Sequence, residues 1–176
     1  MKRNYLLALG LVVVLTMLVL PASAARKMEH RANGKVTQYA AVQPPNTDPP
    51  SSMVVNGNWN LRVVDGKVDF QLSYKERNLI SEDEGGAPVG SIDLFKITFI
   101  GEDQYHNPPF AIVNGAWVIT GDFHISKLAA QPDGSKVWIY DFLGSQHGGA
   151  VHIYPGGGLA LDVGLWHLMG SINSMK

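Results

Sequence analysis

Histidine is the residue type in this chain best suited to metal binding or acid–base catalysis. The chain contains six histidines and no cysteine. Imidazole is a common zinc ligand, and three protein ligands with a bound water make a catalytic zinc site. If the C-terminal strands alternate regularly, three histidines project from one outer sheet face. These candidate metal ligands are His124, His152 and His167, and they make a metal-dependent hydrolase one alternative function.

No established catalytic motif accompanies these histidines. His147 and His152 lack the helix and the glutamate of the His-Glu-x-x-His arrangement. The chain also has no Gly-x-Ser-x-Gly motif and no phosphate loop with its lysine. We therefore expect exposed histidines on separate strands and no cofactor. A non-enzymatic role is favoured, and no catalytic residue is assigned.

Large aromatic residues are the candidates for ligand binding. A Gly-x-Trp-x-(Ile/Leu) pattern occurs at 57–61, 115–119 and 164–168. In a strand, the glycine, the tryptophan and the following aliphatic residue share one face, where the glycine leaves room for a ring. We expect the three tryptophans to face a common interior. With two phenylalanines they form the predicted ligand-binding set: Trp59, Trp117, Trp166, Phe70 and Phe123.

The first of these patterns also resembles a known family. The triplet Gly57-Asn58-Trp59, at the entry to a strand, is similar to the start of the first strand in lipocalins and other calycins. The resemblance covers these three residues only. It implies an antiparallel barrel that holds a ligand.

The segment 55–74 carries the strongest fold signal. Two alternating runs flank Asp65-Gly66, a dipeptide suited to a two-residue type I′ hairpin turn. Folding there places the apolar residues on one face and sets Arg62 opposite Asp69. The predicted pairs are Val64 with Lys67, Val63 with Val68, Arg62 with Asp69, Leu61 with Phe70, Asn60 with Gln71, and Trp59 with Leu72.

Further strands are predicted along the rest of the chain, and no helix is predicted after residue 24. Strand-like segments occur at 92–100, 110–126, 136–143 and 151–154, and at 159–174 as one bent strand or two broken near Gly164. Residues 34–42 indicate a weak strand or an ordered arm. The predicted fold class is all-β, a mostly antiparallel barrel or sandwich of about eight to ten short strands.

The N-terminal residues 1–24 have the pattern that is typical of a secretory signal peptide. Lys2 and Arg3 precede an apolar run from 6 to 20, and Ala22-Ser23-Ala24 supplies a small-residue cleavage site. The predicted organisation is therefore a signal peptide at 1–24, an arm with a Pro-rich linker at 25–52, and one all-β domain at 53–176. We expect a secreted or extracytoplasmic protein with no stable membrane insertion after cleavage.

Charge narrows the choice of partners. Two of the 14 basic residues lie in the leader, so the mature chain carries 12 basic and 15 acidic residues. This balance argues against a nucleic-acid partner, which usually requires a basic patch. The leading hypothesis is a secreted, non-enzymatic barrel that binds a small or hydrophobic ligand. An extracellular structural or surface-interaction protein is the second, and the oligomeric state is left open.

Overall fold

Ten strands and no helix make up the part of the chain that the structure describes. The structure is a computed structural model, and it describes residues 28–39, 52–79, 90–139, 146–164 and 166–176. The strands are β1 Glu29–Tyr39, β2 Ser52–Val64, β3 Lys67–Asn78, β4 Ile92–Gly101, β5 Phe110–Val113, β6 Ala116–Ala130, β7 Lys136–Ile139, β8 Gln146–Ile153, β9 Gly158–Val163 and β10 Trp166–Met175.

Eight of these strands close into a barrel. The order around the ring is β1-β2-β3-β4-β6-β8-β9-β10, and β10 pairs back to β1. Every pairing between neighbours is antiparallel. The prediction of an all-β antiparallel fold is confirmed. Of the two predicted architectures, barrel and sandwich, the structure is the barrel. Closure gives each ring strand a partner on both sides, which protects the sheet edges.

β6 is the longest strand, and its two halves pair with different neighbours. The N-terminal half pairs with β8 and β5, whereas the C-terminal half pairs with β4 and β7. β5 and β7 therefore extend the wall at opposite ends of the barrel. We call the end with β5 and the Asp65-Gly66 turn the top, and the end with β7 the bottom.

The β2–β3 hairpin forms with the register predicted from the sequence. All six predicted pairs are present, and Asp65 and Gly66 have φ values of 51° and 78°, as a type I′ turn requires. Arg62 and Asp69 are register partners, but the Arg62 Nε donates its hydrogen bond to Glu29 Oε1 of β1, at 2.8 Å. The neighbouring strand thus supplies the carboxylate that pairs with Arg62.

The three Gly-x-Trp copies do not share one local structure: the first glycine lies in a strand and the other two lie in turns, which corrects the expectation that each glycine shares a strand face with its tryptophan. Gly57 lies inside β2. Asn114 and Gly115 have φ values of 50° and 82° and form the two-residue turn between β5 and β6. Gly164, with φ of 59°, lies in the turn between β9 and β10. Asn-Gly between alternating runs is itself a hairpin signal, so segment 110–126 contains two strands and a turn rather than one strand.

The region before residue 53 contributes a full barrel strand. The sequence predicts a weak strand or an ordered arm at 34–42, and in the structure β1 pairs with β2 on one side and with β10 on the other. Two of its inward residues, Ala32 and Gly34, are small, so the apolar alternation is weak. Gly34 must be small, because a Cβ there would lie 2.6 Å from the Trp59 Nε1. The predicted signal peptide and Pro-rich linker lie outside the described residues.

Candidate functional site

The interior of the barrel is filled by the aromatic residues that the sequence suggested for ligand binding. Trp59, Trp117 and Trp166 are at most 8% exposed and belong to one core cluster, so the predicted common interior is confirmed. Phe70 and Phe123 are fully buried and meet edge to face, with ring centroids 6.3 Å apart. This packing stabilises the core, and it leaves the two ends of the barrel as the places where a ligand would have access.

The top of the barrel is closed by an aromatic cluster around His30. The imidazole reaches from β1 to strands on the far side of the ring and lies 5.1 Å from the ring centroids of both Phe110 and Trp117. Phe110 and Trp117 also pack edge to face, at 5.9 Å. Since Trp117 is only 8% exposed, its ring serves as packing at this end.

The three histidines suggested as metal ligands are not brought together. His124 is opposite Thr98 of β4, while His152 is opposite Val118, six residues earlier on β6. At the rise of a strand, six residues span about 20 Å. His167 pairs with Asp162, its Nδ1 3.1 Å from the carboxylate. Within the described ranges no group of three or more His, Cys, Asp or Glu residues is arranged to hold a metal ion.

The bottom of the barrel combines charged groups with apolar side chains on the inward face. Tyr74 and Phe95 are buried register partners on β3 and β4. Two residues further along β3 toward the bottom, on the same face, Glu76 is opposite Asp93 of β4. On the other side of β4, Lys127 of β6 is opposite Phe95. We call this region the bottom cup and define it by Tyr74, Glu76, Asp93, Phe95, Lys127, Val137 and Ile139.

A half-buried ion pair lies at the base of the bottom cup. The Lys127 Nζ is 2.7 Å from the Asp93 Oδ2, and the two side chains retain 23% and 31% of their exposure. The same ammonium lies 5.7 Å from the centroid of the Phe95 ring, within the range of a cation–π contact. The Phe95 ring in turn stacks on Tyr74, with centroids 5.3 Å apart and planes 17° apart. The lysine is thereby held by a carboxylate and an aromatic face.

The wall of the bottom cup carries exposed apolar side chains. Ile139 is the register partner of Lys127, and Val137 is the partner of Ala129. Partners in an antiparallel pair share a face, so both lie on the inward side of the β6–β7 extension. Val137 is 44% exposed and Ile139 is 42% exposed. Such side chains next to an ion pair provide both an apolar contact surface and a polar anchor.

The bottom cup is not among the sites predicted from the sequence, although the sequence contains part of its signal. The alternation Phe70, Leu72, Tyr74 continues to Glu76 at period two, which places this carboxylate on the inner face. Lys127 follows Ile125 in the same way. A charged residue that continues an apolar alternation marks the end of a buried strand face or a functional group inside it. Only the pairing of β4 with both β3 and β6 shows that these groups meet.

Comparison with known proteins identifies no relative for this chain. No family model, no curated protein and no solved structure matches it. In the part of the chain that the structure describes, no helix has the length and apolar character needed to cross a bilayer.

Proposed function

We propose that this protein is a secreted, non-enzymatic binding module that holds a small, largely apolar ligand in the bottom cup. The observation that carries the proposal is the pair of exposed apolar side chains, Val137 and Ile139, on the inward wall beside the Asp93–Lys127 ion pair. Binding sites for small molecules are mostly apolar, with a few placed polar groups that fix orientation.

The packed middle of the barrel supports a site at its end. An eight-stranded barrel is just wide enough either to be filled by side chains or to hold one small ligand. Here Leu72, Ile97 and Phe123 are fully buried on three different strands, so the interior is occupied by the protein itself. A ligand at the bottom cup would contact the lowest layer of this core without displacing it.

The ion pair supports a functional rather than a purely structural role for the bottom cup. A partly exposed ion pair contributes about 0–1 kcal/mol to stability. Replacing the three inward groups Glu76, Asp93 and Lys127 with apolar residues would complete the core at lower desolvation cost. Retaining charge on the inner face is consistent with the need to orient a ligand.

Matched valine variants test this proposal. Val137 on the inward wall of β7 and Val113 on the outer face of β5 are both exposed, and both flank β6. Nile red, a neutral apolar probe, would be titrated by fluorescence into the mature protein and into Val137→Glu and Val113→Glu. We expect saturable binding that weakens by about tenfold, or ~1.4 kcal/mol, in Val137→Glu alone. Equal effects of the two substitutions, or no binding to the unmodified protein, would contradict the proposal.

An uncharged row on the outer wall supports a second candidate, a surface-interaction role. Successive register partners across five strands are Ala111, Val118, His152, Ala160 and Met169. Tyr154 adds a 46% exposed ring that stacks on His152, with planes 12° apart. Tyr154→Ser should then weaken self-association or surface adsorption measured by sedimentation and quartz microbalance. An unchanged profile would remove this candidate.

A further inference from the structure

The chain contains three Asn-Gly dipeptides, and they lie in two kinds of backbone environment. The dipeptides are Asn33-Gly34, Asn56-Gly57 and Asn114-Gly115. The first two lie inside the strands β1 and β2. Asn114 and Gly115, with φ values of 50° and 82°, form the turn between β5 and β6. The same chemical group is therefore held in paired strands at two places and in a hairpin turn at the third.

An Asn-Gly dipeptide loses ammonia without an enzyme when its backbone can rotate. The glycine nitrogen gives up its proton and attacks the asparagine Cγ. The N–Cγ bond forms, and the Cγ–Nδ2 bond breaks as ammonia leaves with a proton. Water then opens the cyclic imide: addition at Cγ gives aspartate, and addition at the backbone carbonyl carbon gives isoaspartate. Water is consumed, ammonia is released and no atom is oxidised or reduced. Glycine favours the attack because it has no side chain to hinder the nitrogen.

The strand environment of the first two dipeptides opposes this reaction. Gly34 is paired with residues of both β2 and β10, and Gly57 is paired with residues of both β1 and β3. A Cβ at Gly34 would overlap the Ser171 carbonyl oxygen, and one at Gly57 would lie 2.7 Å from the Tyr74 Cβ. Neither backbone has room to rotate in the closed barrel. Reaction at these sites requires opening of the strand ladders, which costs a large part of the stability of the fold.

The turn at Asn114 leaves the reacting atoms free of these constraints. The hydrogen bond that closes a β-turn joins its first and fourth residues, here Val113 and Ala116, so the Gly115 N–H lies outside the ladder. Asn114 and Gly115 are both exposed, and a Cβ on Gly115 would have no atom within 4 Å. Rotation of the Asn114 backbone therefore brings the Gly115 nitrogen to the Asn114 Cγ without uncovering the core.

The two products differ in their effect on the β5–β6 hairpin. Aspartate keeps the turn, because Asp65-Gly66 forms the same turn in this molecule, with φ values of 51° and 78°. Isoaspartate adds a carbon atom to the main chain, which does not fit a two-residue turn of this type. The hairpin carries Phe110 and Trp117, which pack on His30 at the top of the barrel. Isoaspartate at position 114 thus weakens the closure of that end.

We infer that Asn114 is a site of spontaneous deamidation and that its isoaspartate product loosens the β5–β6 hairpin. Asn33 and Asn56 stay unmodified for as long as the barrel is folded. The inference does not depend on the proposed ligand site, because the β5–β6 turn lies at the opposite end of the barrel from the bottom cup.

Peptide mapping of the mature protein by mass spectrometry tests the site of modification. After incubation in mildly alkaline buffer, conversion at Asn114 should be faster than at Asn33 or Asn56 by a factor of about ten or more, which corresponds to ~1.4 kcal/mol in the barrier. In urea, which removes the strand ladders, the three sites should convert at similar rates. Equal rates at the three sites of the folded protein overturn the inference. Conversion of Asn114 in urea but not in the folded protein also overturns it, because the turn would then protect the residue.

Asn114→Gly is the matched control, because Gly-Gly also forms a type I′ turn and glycine has no side-chain amide to lose. This variant should no longer release ammonia or form an acidic product in the folded state, whereas Asn56→Ser should do both at the rate of the unmodified protein. Ammonia release that persists in Asn114→Gly assigns the reaction to another residue and overturns the inference.

The Asn114→Asp variant separates the effect of the added charge from that of the altered main chain. It should unfold at the same temperature as the unmodified protein, because Asp-Gly keeps the turn. Aged protein that is purified by ion exchange and contains isoaspartate at position 114 should unfold at a lower temperature than Asn114→Asp. Equal unfolding temperatures of these two proteins overturn the loosening of the hairpin.

Discussion

Gly66 and Gly34 are both required at their positions, but for different physical reasons. Gly66 has φ of 78°, and a Cβ there would have no atom within 4 Å. Glycine is therefore required at position 66 because of its positive φ, and not because a side chain would clash. At Gly34, a Cβ would lie 1.8 Å from the Ser171 carbonyl oxygen and 2.6 Å from the Trp59 indole nitrogen. Gly34 thus allows β1, β10 and the largest core ring to approach one another.

Substitution of Gly66 by a β-branched residue should destabilise the protein through backbone strain alone. We expect Gly66→Val to lower the free energy of unfolding by about 1–3 kcal/mol, the usual scale for a residue held in the left-handed region. Asp65→Asn is the matched control, because Asn-Gly also forms a type I′ turn. Thermal and urea unfolding measure both effects. Equal stability of Gly66→Val and the unmodified protein would contradict the turn assignment.

The contribution of Asp103, in the β4–β5 loop, to the stability of the fold depends on pH. Its carboxylate accepts hydrogen bonds from the Asn107 side chain, at 3.1 Å, and from the backbone N–H groups of Tyr105 and Asn107. These bonds, the Asn107 side chain foremost, lower the pKa of Asp103 below its ordinary value of 3.8. A lowered folded-state pKa means that ionised Asp103 stabilises the fold above pH 3.8 and loses this effect as the pH falls through the folded-state value.

The Asp103→Asn variant tests this dependence. It should unfold at a lower temperature than the unmodified protein near neutral pH, because the amide cannot accept all three bonds. The difference in Tm should shrink as the pH falls below 3.8, since the unmodified side chain then becomes protonated. Glu29 and Asp133, whose pKa values are also lowered, titrate in both proteins and cancel in the comparison. A difference in Tm that is constant across this range would refute the assignment.

At the scale of elements, β1 closes the ring by pairing with β2 and β10, and β6 joins β4 to β8 by pairing with both. β1 supplies Ala32 and Val36 to the core and pairs with both β2 and β10. Without it, both neighbours would expose an unpaired edge, and Trp59 would lose the surface on which it packs. The chain has no cysteine, so no disulfide can replace this closure.

Deletion of β1 should therefore abolish the fold. We expect a chain that begins at Met53 to lose cooperative thermal unfolding by circular dichroism. A chain that begins at Met28 keeps β1 and should unfold like one that begins at Ala25. A cooperative transition in the Met53 chain would show that the remaining strands fold without β1.

At the scale of the whole molecule, the signal peptide predicted at residues 1–24 leads us to expect that the barrel is exported and that the leader is removed. Cleavage after Ala24 would remove residues that precede β1 and leave all ten strands intact. Mass spectrometry of the exported protein should find its N-terminus at Ala25, because small residues at Ala22 and Ala24 fit the cleavage site. Ala24→Leu should reduce processing, whereas Lys27→Leu, beyond the site, should not. Intact Met1 recovered from membranes would count against cleavage.

The sequence by itself determined the local features of this protein. Asp65-Gly66 and the alternation on both sides specified the β2–β3 register, because a two-residue turn and period two leave one arrangement with the apolar face buried. The inward placement of Trp59 and Phe70 followed from the same alternation. The Asn114-Gly115 turn also has a sequence signal, because Asn-Gly between two alternating runs is typical of a type I′ hairpin turn.

Only the tertiary structure decided which distant strands meet. Ring closure by β1 and β10 depends on the steric fit of Gly34 against Trp59 and Ser171, which no periodicity in β1 expresses. The separation of His124 from His152 depends on the pairing register along β6. The bottom cup depends on β4 lying between β3 and β6, so that Asp93 is opposite Glu76 and next to Lys127. Sequence alternation gives the face on which each side chain lies, but contacts between strands far apart in the chain follow from how the whole barrel packs.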